Sequence, residues 1–359
     1  RVAVLLSHGH PDHYGLIPRT PEAIPLFLDE ATHRILREAA FFSPAGADLT
    51  AAGYLRDREP FTLGPFTVTP YLMDHSAFDS YAVLIDAGGK RVLYSGDIRA
   101  TGRKHYLFDR FLADPPVGID VLLLEGTTIR AEDPTAPSIS EFEVEEHCVE
   151  LFRETPGIVL ANYSAQNIDR IVSLHRAARR SGRTLALDLY GVAITQATGR
   201  ATIPQGTWND VHVYVPQSQR VLVKQSREFE RVARIRDRRI YEEDLAARAG
   251  ELVLTFRRSM CAEVERAGCL GGAGALWSMW SGYLEQRSGQ RFRRWLDDRD
   301  IPMSEIHASG HAGPDDLQRF AAAIRAREVV PVHTLHADRF TELFARVRVR
   351  RDGEWWQIG

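Results

Sequence analysis

Four residues able to bind metal ions, His8, His10, Asp12 and His13, fall within six positions of the stretch Ser7-His8-Gly9-His10-Pro11-Asp12-His13, which follows directly on the apolar run Val2 to Leu6. A chain with this opening must end a buried strand in a loop that concentrates imidazoles and a carboxylate. If the extended conformation continues, His8, His10 and Asp12 point to one side and His13 to the other, so the cluster can address two metals. Neutral imidazole and carboxylate oxygen suit Zn²⁺ or Mn²⁺, and no thiolate is required.

The same arrangement, a polar ligand at the end of a strand, recurs in Asp74-His75-Ser76 after Phe66 to Met73 and in Ser95-Gly96-Asp97 after Arg91 to Tyr94. A carboxylate such as Asp97 can bridge two cations roughly 3.5–4 Å apart, and a water held between such cations loses its proton near neutral pH. That hydroxide is the expected nucleophile. Asp74 is expected to support a ligating ring or cap the loop rather than bind metal itself.

The 359 residues, 44% hydrophobic and 26% charged, have a globular composition and predict about two domains. No stretch approaches the ~20 consecutive apolar residues of a membrane helix, so no membrane partner is expected. Cys148, Cys261 and Cys269 are an odd set with no CxxC pair, which argues against a disulfide framework and a thiolate zinc site and points to a reducing cytoplasm. A net charge of −3 makes no whole-chain case for nucleic acid, so any such case rests on local features. Arg1 stands inside an apolar run, from which opening strands are expected to precede this sequence.

Along the chain, Tyr81 to Asp86 and Arg91 to Tyr94 flank the turn Ala87-Gly88-Gly89-Lys90 as a hairpin, and Val121 to Leu124 reads as a buried strand. Gly126 to Pro137 looks like a domain crossover. Ser138 with Glu141, and Ser140 with Glu143, both fit a capping box opening a helix with Val144, Cys148, Leu151 and Phe152 on one face. Ile158 to Ala161, a helix marked by Ile168, Ile171, Val172 and His175, and Thr184 to Leu187 form a βαβ unit, hence parallel sheet. Gln217 to Arg239 reads as one charged helix with a solvated face. Pro314, Leu317, Phe320, Ala321 and Ile324, followed by the strand Glu328 to Val332, return the chain to α/β architecture.

The HxHxDH motif at His8, His10, Asp12 and His13, with His75 and Asp97, resembles that of the metallo-β-lactamase fold hydrolases. The resemblance implies that His8, His10 and His75 hold one metal and Asp12 and His13 the other, with Asp97 bridging. Leu124-Glu125-Gly126-Thr127, a long α/β insertion, His307-Ala308-Ser309-Gly310-His311-Ala312 and Pro331-Val332-His333 are similar to the β-CASP branch, and within it to the ribonuclease J-like members. Glu125, His311 and His333 match that branch's three motifs. His333 is thereby expected to complete the second metal, and His311, oriented by Glu125, to contact the scissile phosphate and protonate the leaving oxygen; Asp12, Glu125 and His311 form the expected catalytic set. The implied fold is an α/β metallo-β-lactamase αββα sandwich with an inserted α/β β-CASP domain on a parallel sheet. Its expected bounds are 1–137 for the first part, 138–304 for the insertion and 305–359 for the return segment. Two divalent ions, zinc or else manganese, are the implied cofactors. His333-Thr334-Leu335-His336 departs from the glycine and glutamate that usually follow the third motif's histidine, and His336 is open to a supporting or a solvent-facing role.

Asn162-Tyr163-Ser164-Ala165-Gln166-Asn167 lies between a strand and a helix, where amides favour an anion. It resembles the β-CASP segment that touches backbone phosphate, although the same residues also make an ordinary helix cap. Ser164, Gln166 and Asn167, with Ser309 and Gly310 beside His311, are the expected substrate contacts. Arg170 and the arginines from Arg220 to Arg239 could line a channel and Tyr163 or Tyr190 could stack on a base, against core or surface roles. A histidine in the third motif favours RNA, in single-stranded form, by family analogy. The competing expectations are a DNA-directed β-CASP nuclease, a small-molecule hydrolase of the same fold, and a non-catalytic RNA-binding subunit; a homo-oligomer is left open.

Overall fold

A computed structural model describes residues 2–130 and 139–359. The chain divides into two compact units, one of Arg1–Arg37, Ala47–Ser138 and Ser309–Gly359, the other of Glu38–Gly46 and Ile139–Ala308.

In the first unit, β1 (Val4–Leu5), β2 (Leu26–Leu28) and β3 (Gly53–Tyr54) form a small parallel sheet. A second sheet holds β4 (Phe61–Leu63), β5 (Phe66–Met73), β6 (Ser80–Ala87), β7 (Lys90–Tyr94) and β8 (Val121–Glu125), with the return strand Glu328–Val332 on the far side of β8. From β4 to β7 the neighbours are antiparallel; β7, β8 and the return strand are parallel. The β6–β7 hairpin closes through Gly88 and Gly89 at φ +58° and +73°, with Ala87 facing Lys90. Positive φ at both central residues is what a tight hairpin turn demands and what a side chain resists, which is why the glycine pair was readable as a turn.

Alternation along β6 then sorts the core. Tyr81 and Val83 pack with Val68 and Leu55 against Leu5 and Phe27 of the small sheet. Ala82 and Leu84 face the other way, toward Phe108, Phe111, Leu317 and Phe320. Those residues come from the helices Tyr106–Ala113 and Pro314–Ile324, joined by a stacked Phe111–Phe320 pair with ring centroids 4.9 Å apart. On the outer side of the small sheet, Leu6, Leu26 and Leu28 meet Leu36 of the helix Glu30–Phe42. The order is helix, sheet, sheet, helix: the αββα sandwich. The metal-motif loops leave the ends of β1, β5 and β7.

The second unit is built on a parallel sheet of β9 (Val159–Asn162), β10 (Thr184–Asp188), β11 (Val211–Tyr214), β12 (Arg239–Ile240), β13 (Leu252–Thr255), β14 (Gly274–Trp277) and β15 (Met303–Glu305), in the order β12-β11-β10-β13-β9-β14-β15. The parallel sheet holds as expected, but β13 inserts between β9 and β10, pairing with both. The helix Glu141–Glu154 opens on the Ser140/Glu143 capping box, Glu143 N–H to Ser140 Oγ at 3.2 Å and Ser140 N–H to Glu143 Oε2 at 2.7 Å. The alternative through Ser138 lies outside the described residues. Gln217 to Arg239 is not one helix: Gln217–Ser226 stops at Arg227, left-handed at φ +61°, and a short helix Glu230–Ala233 and a 3-10 turn follow. Among the described residues no helix is long and apolar enough to cross a membrane.

Candidate metal centre and active site

Where β1 ends, Leu6 N–H donates to Phe27 O of the small sheet and Tyr81 N–H donates to Ser7 O from the large one. Pinned between the two sheets, His8 is fully buried. The chain does not stay extended beyond it. Pro11 starts a helical turn, Pro11–Tyr14, in which His13 N–H donates to His10 O at 3.0 Å. Proline fits the first position of a helix because its missing N–H would have no partner there. Residues 12 and 13 therefore diverge around a turn rather than by alternation, which corrects the expected two-sided extended array. The result still serves one centre, since Nε2 of His8 and of His13 lie 3.5 and 3.2 Å from Asp97 Oδ2.

Asp97 reaches that place through Gly96, at φ +59°, where a Cβ would stand 2.4 Å from Tyr81 O. Only glycine fits this backbone without strain. His75, just beyond β5, brings Nε2 within 3.2 Å of His10 Nδ1. The Asp74 carboxylate is held within its own loop region: Oδ1 accepts from the buried Arg99 guanidinium at 3.3 Å and Oδ2 from Gly102 N–H at 2.8 Å. It supports the loop.

On the other side, His333 Nε2 lies 3.0 Å from Asp12 Oδ2, and His333 Nδ1 lies 3.6 Å from Asp97 Oδ1. His333 adopts φ +51°, an uncommon conformation for a residue with a side chain. Two sets of donor atoms each fall within 4.8 Å of one another: His8, His10, His75 and Asp97, and Asp12, His13 and His333. Asp97, Glu125, His311 and His333 form a third such set. Glu125, however, already accepts Ile98 N–H at 2.9 Å on Oε1, and Thr127 Oγ1–H at 2.8 Å and the His311 Nδ1 contact at 3.1 Å on Oε2. With its oxygens so engaged, it is placed to hold a ring rather than a cation.

Whether cations fit can be judged from the donors. Nε2 of His8 and His13, Nδ1 of His75 and both Asp97 carboxylate oxygens are buried without a hydrogen-bond partner. Each such atom costs about 1–3 kcal/mol, and several in one cluster are hard to sustain unless a cation satisfies them. Burial pushes His8 and His75 well below the ordinary imidazole range, and His10 to about 4. These rings are neutral at physiological pH and present lone pairs, as metal ligands must. Burial alone would raise the Asp97 carboxyl, but the close approach of His13 and the charges of the surrounding imidazoles hold it below its usual range. The hydrogen bond to Asp12 pushes His333 up to about 9.

Of the expected substrate contacts, Ser309 and Gly310 lie beside His311. Ser309 Oγ accepts His311 N–H at 3.0 Å, and a Cβ on Gly310 would meet Ser76 Oγ at 2.5 Å. In the second unit Ser164 is exposed, Gln166 Nε2 donates to Ala45 O at 2.6 Å and to Tyr190 OH at 3.1 Å, and Asn167 Oδ1 caps the helix Ile168–Arg180 by accepting Arg170 N–H. For Arg170 and Tyr163, of the channel, stacking and core roles left open, the structure shows the core one. The Arg170 guanidinium is fully buried on Glu141 and Ser278 O, and Tyr163 is buried with its hydroxyl 2.8 Å from Thr255 Oγ1. Tyr190 is also buried, stacked on Phe42. Two supporting residues, Arg99 and Thr127, were not singled out from sequence; a hydroxyl two positions after Glu125 is the one cue that was available.

The chain is similar to proteins of known families. Residues 2–160 match a family described as beta-lactamase superfamily domain, and residues 303–350 one described as Zn-dependent metallo-hydrolase RNA specificity domain. The chain is 22% identical over 354 residues to a ribonuclease J of Sinorhizobium meliloti, covering 94% of this chain and 59% of that protein. It is 24% identical over 357 residues to a ribonuclease J of Mycobacterium tuberculosis, covering 92% and 58%. It thus spans under three fifths of these relatives' length. A crystal structure of a protein of unknown function from Enterococcus faecalis superposes with a TM-score of 0.77 at 22% identity, over 98% of this chain and 80% of that one. The donor set and the matched families together make this a divalent-metal site.

Proposed function

We propose, on the premise that the chain belongs to the metallo-β-lactamase superfamily and is ribonuclease J-like within its β-CASP branch, that it hydrolyses phosphodiester bonds of single-stranded RNA with two divalent ions, zinc in the first instance. The observation that carries this reading is the gathering, in one unit, of His8, His10, Asp12, His13, His75, Asp97 and His333 around buried, unpartnered donor atoms, with the Glu125–His311 pair at its edge.

In this reading His8, His10 and His75 hold one ion, Asp12, His13 and His333 the other, and Asp97 serves both. Bound there, the ions supply a strongly acidified water and neutralise charge gathering on the phosphate. The protein's own groups do the rest. His311 keeps Nδ1 on Glu125, and the carboxylate favours the protonated ring against the burial that opposes it, so its pKa lies above the ordinary value. An imidazole so held can deliver a proton to the departing oxygen from Nε2. Ser309 fixes the His311 backbone, and Gly310 leaves no side chain in the approach past Ser76.

RNA is favoured over DNA by the RNA specificity description of the matched segment 303–350 and by the ribonuclease J relatives. Three cysteines without a disulfide suit the cytoplasm. The test is cleavage of end-labelled single-stranded RNA and matched DNA with Zn²⁺ or Mn²⁺, with the Asp12→Ala/His13→Ala double variant as control. RNA-selective cleavage lost in the variant is expected. A metal-loaded protein inert on both polymers would overturn the nuclease reading in favour of a small-molecule hydrolase.

A further inference from the structure

We propose that Thr127 is a positioning residue whose hydroxyl ties the His333 ring to the Glu125 carboxylate, so that one carboxylate oxygen orients both His333 and His311. The inference rests on the metal-hydrolase reading above and assigns a role to a residue that holds neither metal nor substrate.

Thr127 Oγ1 stands 2.8 Å from Glu125 Oε2, 2.7 Å from His333 Nδ1 and 3.3 Å from His333 O. A hydroxyl has one proton to give. The carboxylate is the charged and nearer of the two oxygen acceptors, so the proton goes to Glu125. The hydroxyl oxygen then has lone pairs to accept an N–H from His333 Nδ1. This fixes the proton of the neutral ring on Nδ1, so that a cation taking the place of the proton between Nε2 and Asp12 Oδ2, 3.0 Å apart, would meet the Nε2 lone pair within the Asp12, His13, His333 donor set.

His311 Nδ1 meets the same Glu125 Oε2 at 3.1 Å. Glu125 is itself immobile: fully buried, with Oε1 on Ile98 N–H at 2.9 Å and its own N–H on Ser95 Oγ at 3.0 Å. The Thr127 bridge also spans to a residue held at φ +51°, where the backbone alone does not favour the ring's placement. Ser7 Oγ does a similar service for His8, 3.1 Å from its Nδ1, so hydroxyl support of a ligand ring occurs on both sides of the centre.

The test uses the full chain, wild type against Thr127→Val, which removes the hydroxyl at similar volume, Thr127→Ala, which removes it without crowding the loop, and Thr127→Ser, which keeps it. Bound Zn²⁺ and Mn²⁺ are titrated with a competing chelator. Loss of such an outer hydrogen bond is expected to weaken the ion that Asp12, His13 and His333 would hold by about 10- to 100-fold in the Val and Ala variants. Thr127→Ser should stay within about threefold of wild type, as should the melting temperatures of the metal-stripped proteins within a few degrees. RNA cleavage should lose kcat with KM little changed. Unaltered metal affinity in both Val and Ala, or a Ser variant no better than they are, overturns the proposal. If wild type binds metal but cuts no RNA, the ribonuclease reading fails while the chelator titration still decides the role of Thr127.

Discussion

The Glu125 carboxylate and the His311 ring, 186 positions apart in sequence, meet through a 3.1 Å contact between Oε2 and Nδ1. That contact engages Nδ1, and in the proposed reading the ring acts through Nε2 as an acid rather than as a metal ligand. His311→Ala should therefore keep most bound metal while slowing RNA cleavage by about 10²- to 10⁴-fold, the usual worth of a general acid. Metal analysis after dialysis, run beside the rate measurement, checks both halves.

Asp97 behaves oppositely. Its Oδ2 faces His8 and His13 and its Oδ1 faces His333, so it lies against residues of both donor groups. Asp97→Ala is expected to lose both ions and all activity. Equal metal loss in Asp97→Ala and His311→Ala would sink the division of labour between them.

Much of the candidate centre was legible because its donor residues are chemically distinctive types placed at strand ends, and the β6–β7 hairpin because Gly88 and Gly89 can do what other residues resist. What escaped was decided at long range. Pro11 is compatible with an extended chain or a helix start, and the choice fell to the helical turn that brings His13 to Asp97. The position of β13 between β9 and β10 depends on pairings that no local periodicity records. Arg170 carries a charge that suits a surface, yet Glu141, 29 positions earlier, buries it.

That buried pair predicts stability, not RNA affinity. Arg170 and Glu141 are both fully buried, Nη2 to Oε1 at 3.0 Å, with Ser173 Oγ–H completing the carboxylate at 2.8 Å. Replacing one partner leaves the other charge uncompensated, so Arg170→Met should cost about 3–5 kcal/mol, and adding Glu141→Met should recover a good part of it. Urea unfolding of the two variants measures this. A single variant as stable as wild type would show that the pair does not hold this helix packing together.

Gly96→Ala tests backbone placement of the bridge. The added Cβ would meet Tyr81 O at 2.4 Å, and φ +59° is itself unfavourable for alanine. The variant should lose more than about 1 kcal/mol and bind metal weakly, because Asp97 moves with its neighbour. A fully stable, metal-replete Gly96→Ala protein would mean that the loop relaxes without disturbing Asp97.

The pH dependence of stability should carry the mark of Asp29. Burial, with the charge of Asp79 added, pushes its carboxyl up to about 6, against the Thr32 and Ala31 amides and Lys104, which favour ionisation. The Tyr81 hydroxyl also lies 3.5 Å from Oδ2. A folded-state value raised above the unfolded ~3.9 means that the folded chain binds the proton more tightly. Its stabilising contribution is thus complete below about pH 4, is lost as pH rises through about 6, and is absent above. Roughly two units correspond to about 3 kcal/mol at most. Asn keeps the oxygen that accepts Thr32 N–H at 2.9 Å and cannot ionise. Asp29→Asn should consequently gain stability relative to wild type as pH rises from 4 to 7, read from urea midpoints at each pH. A difference between the two proteins that stays constant across that range would show that Asp29 ionises in the fold as readily as in the unfolded chain.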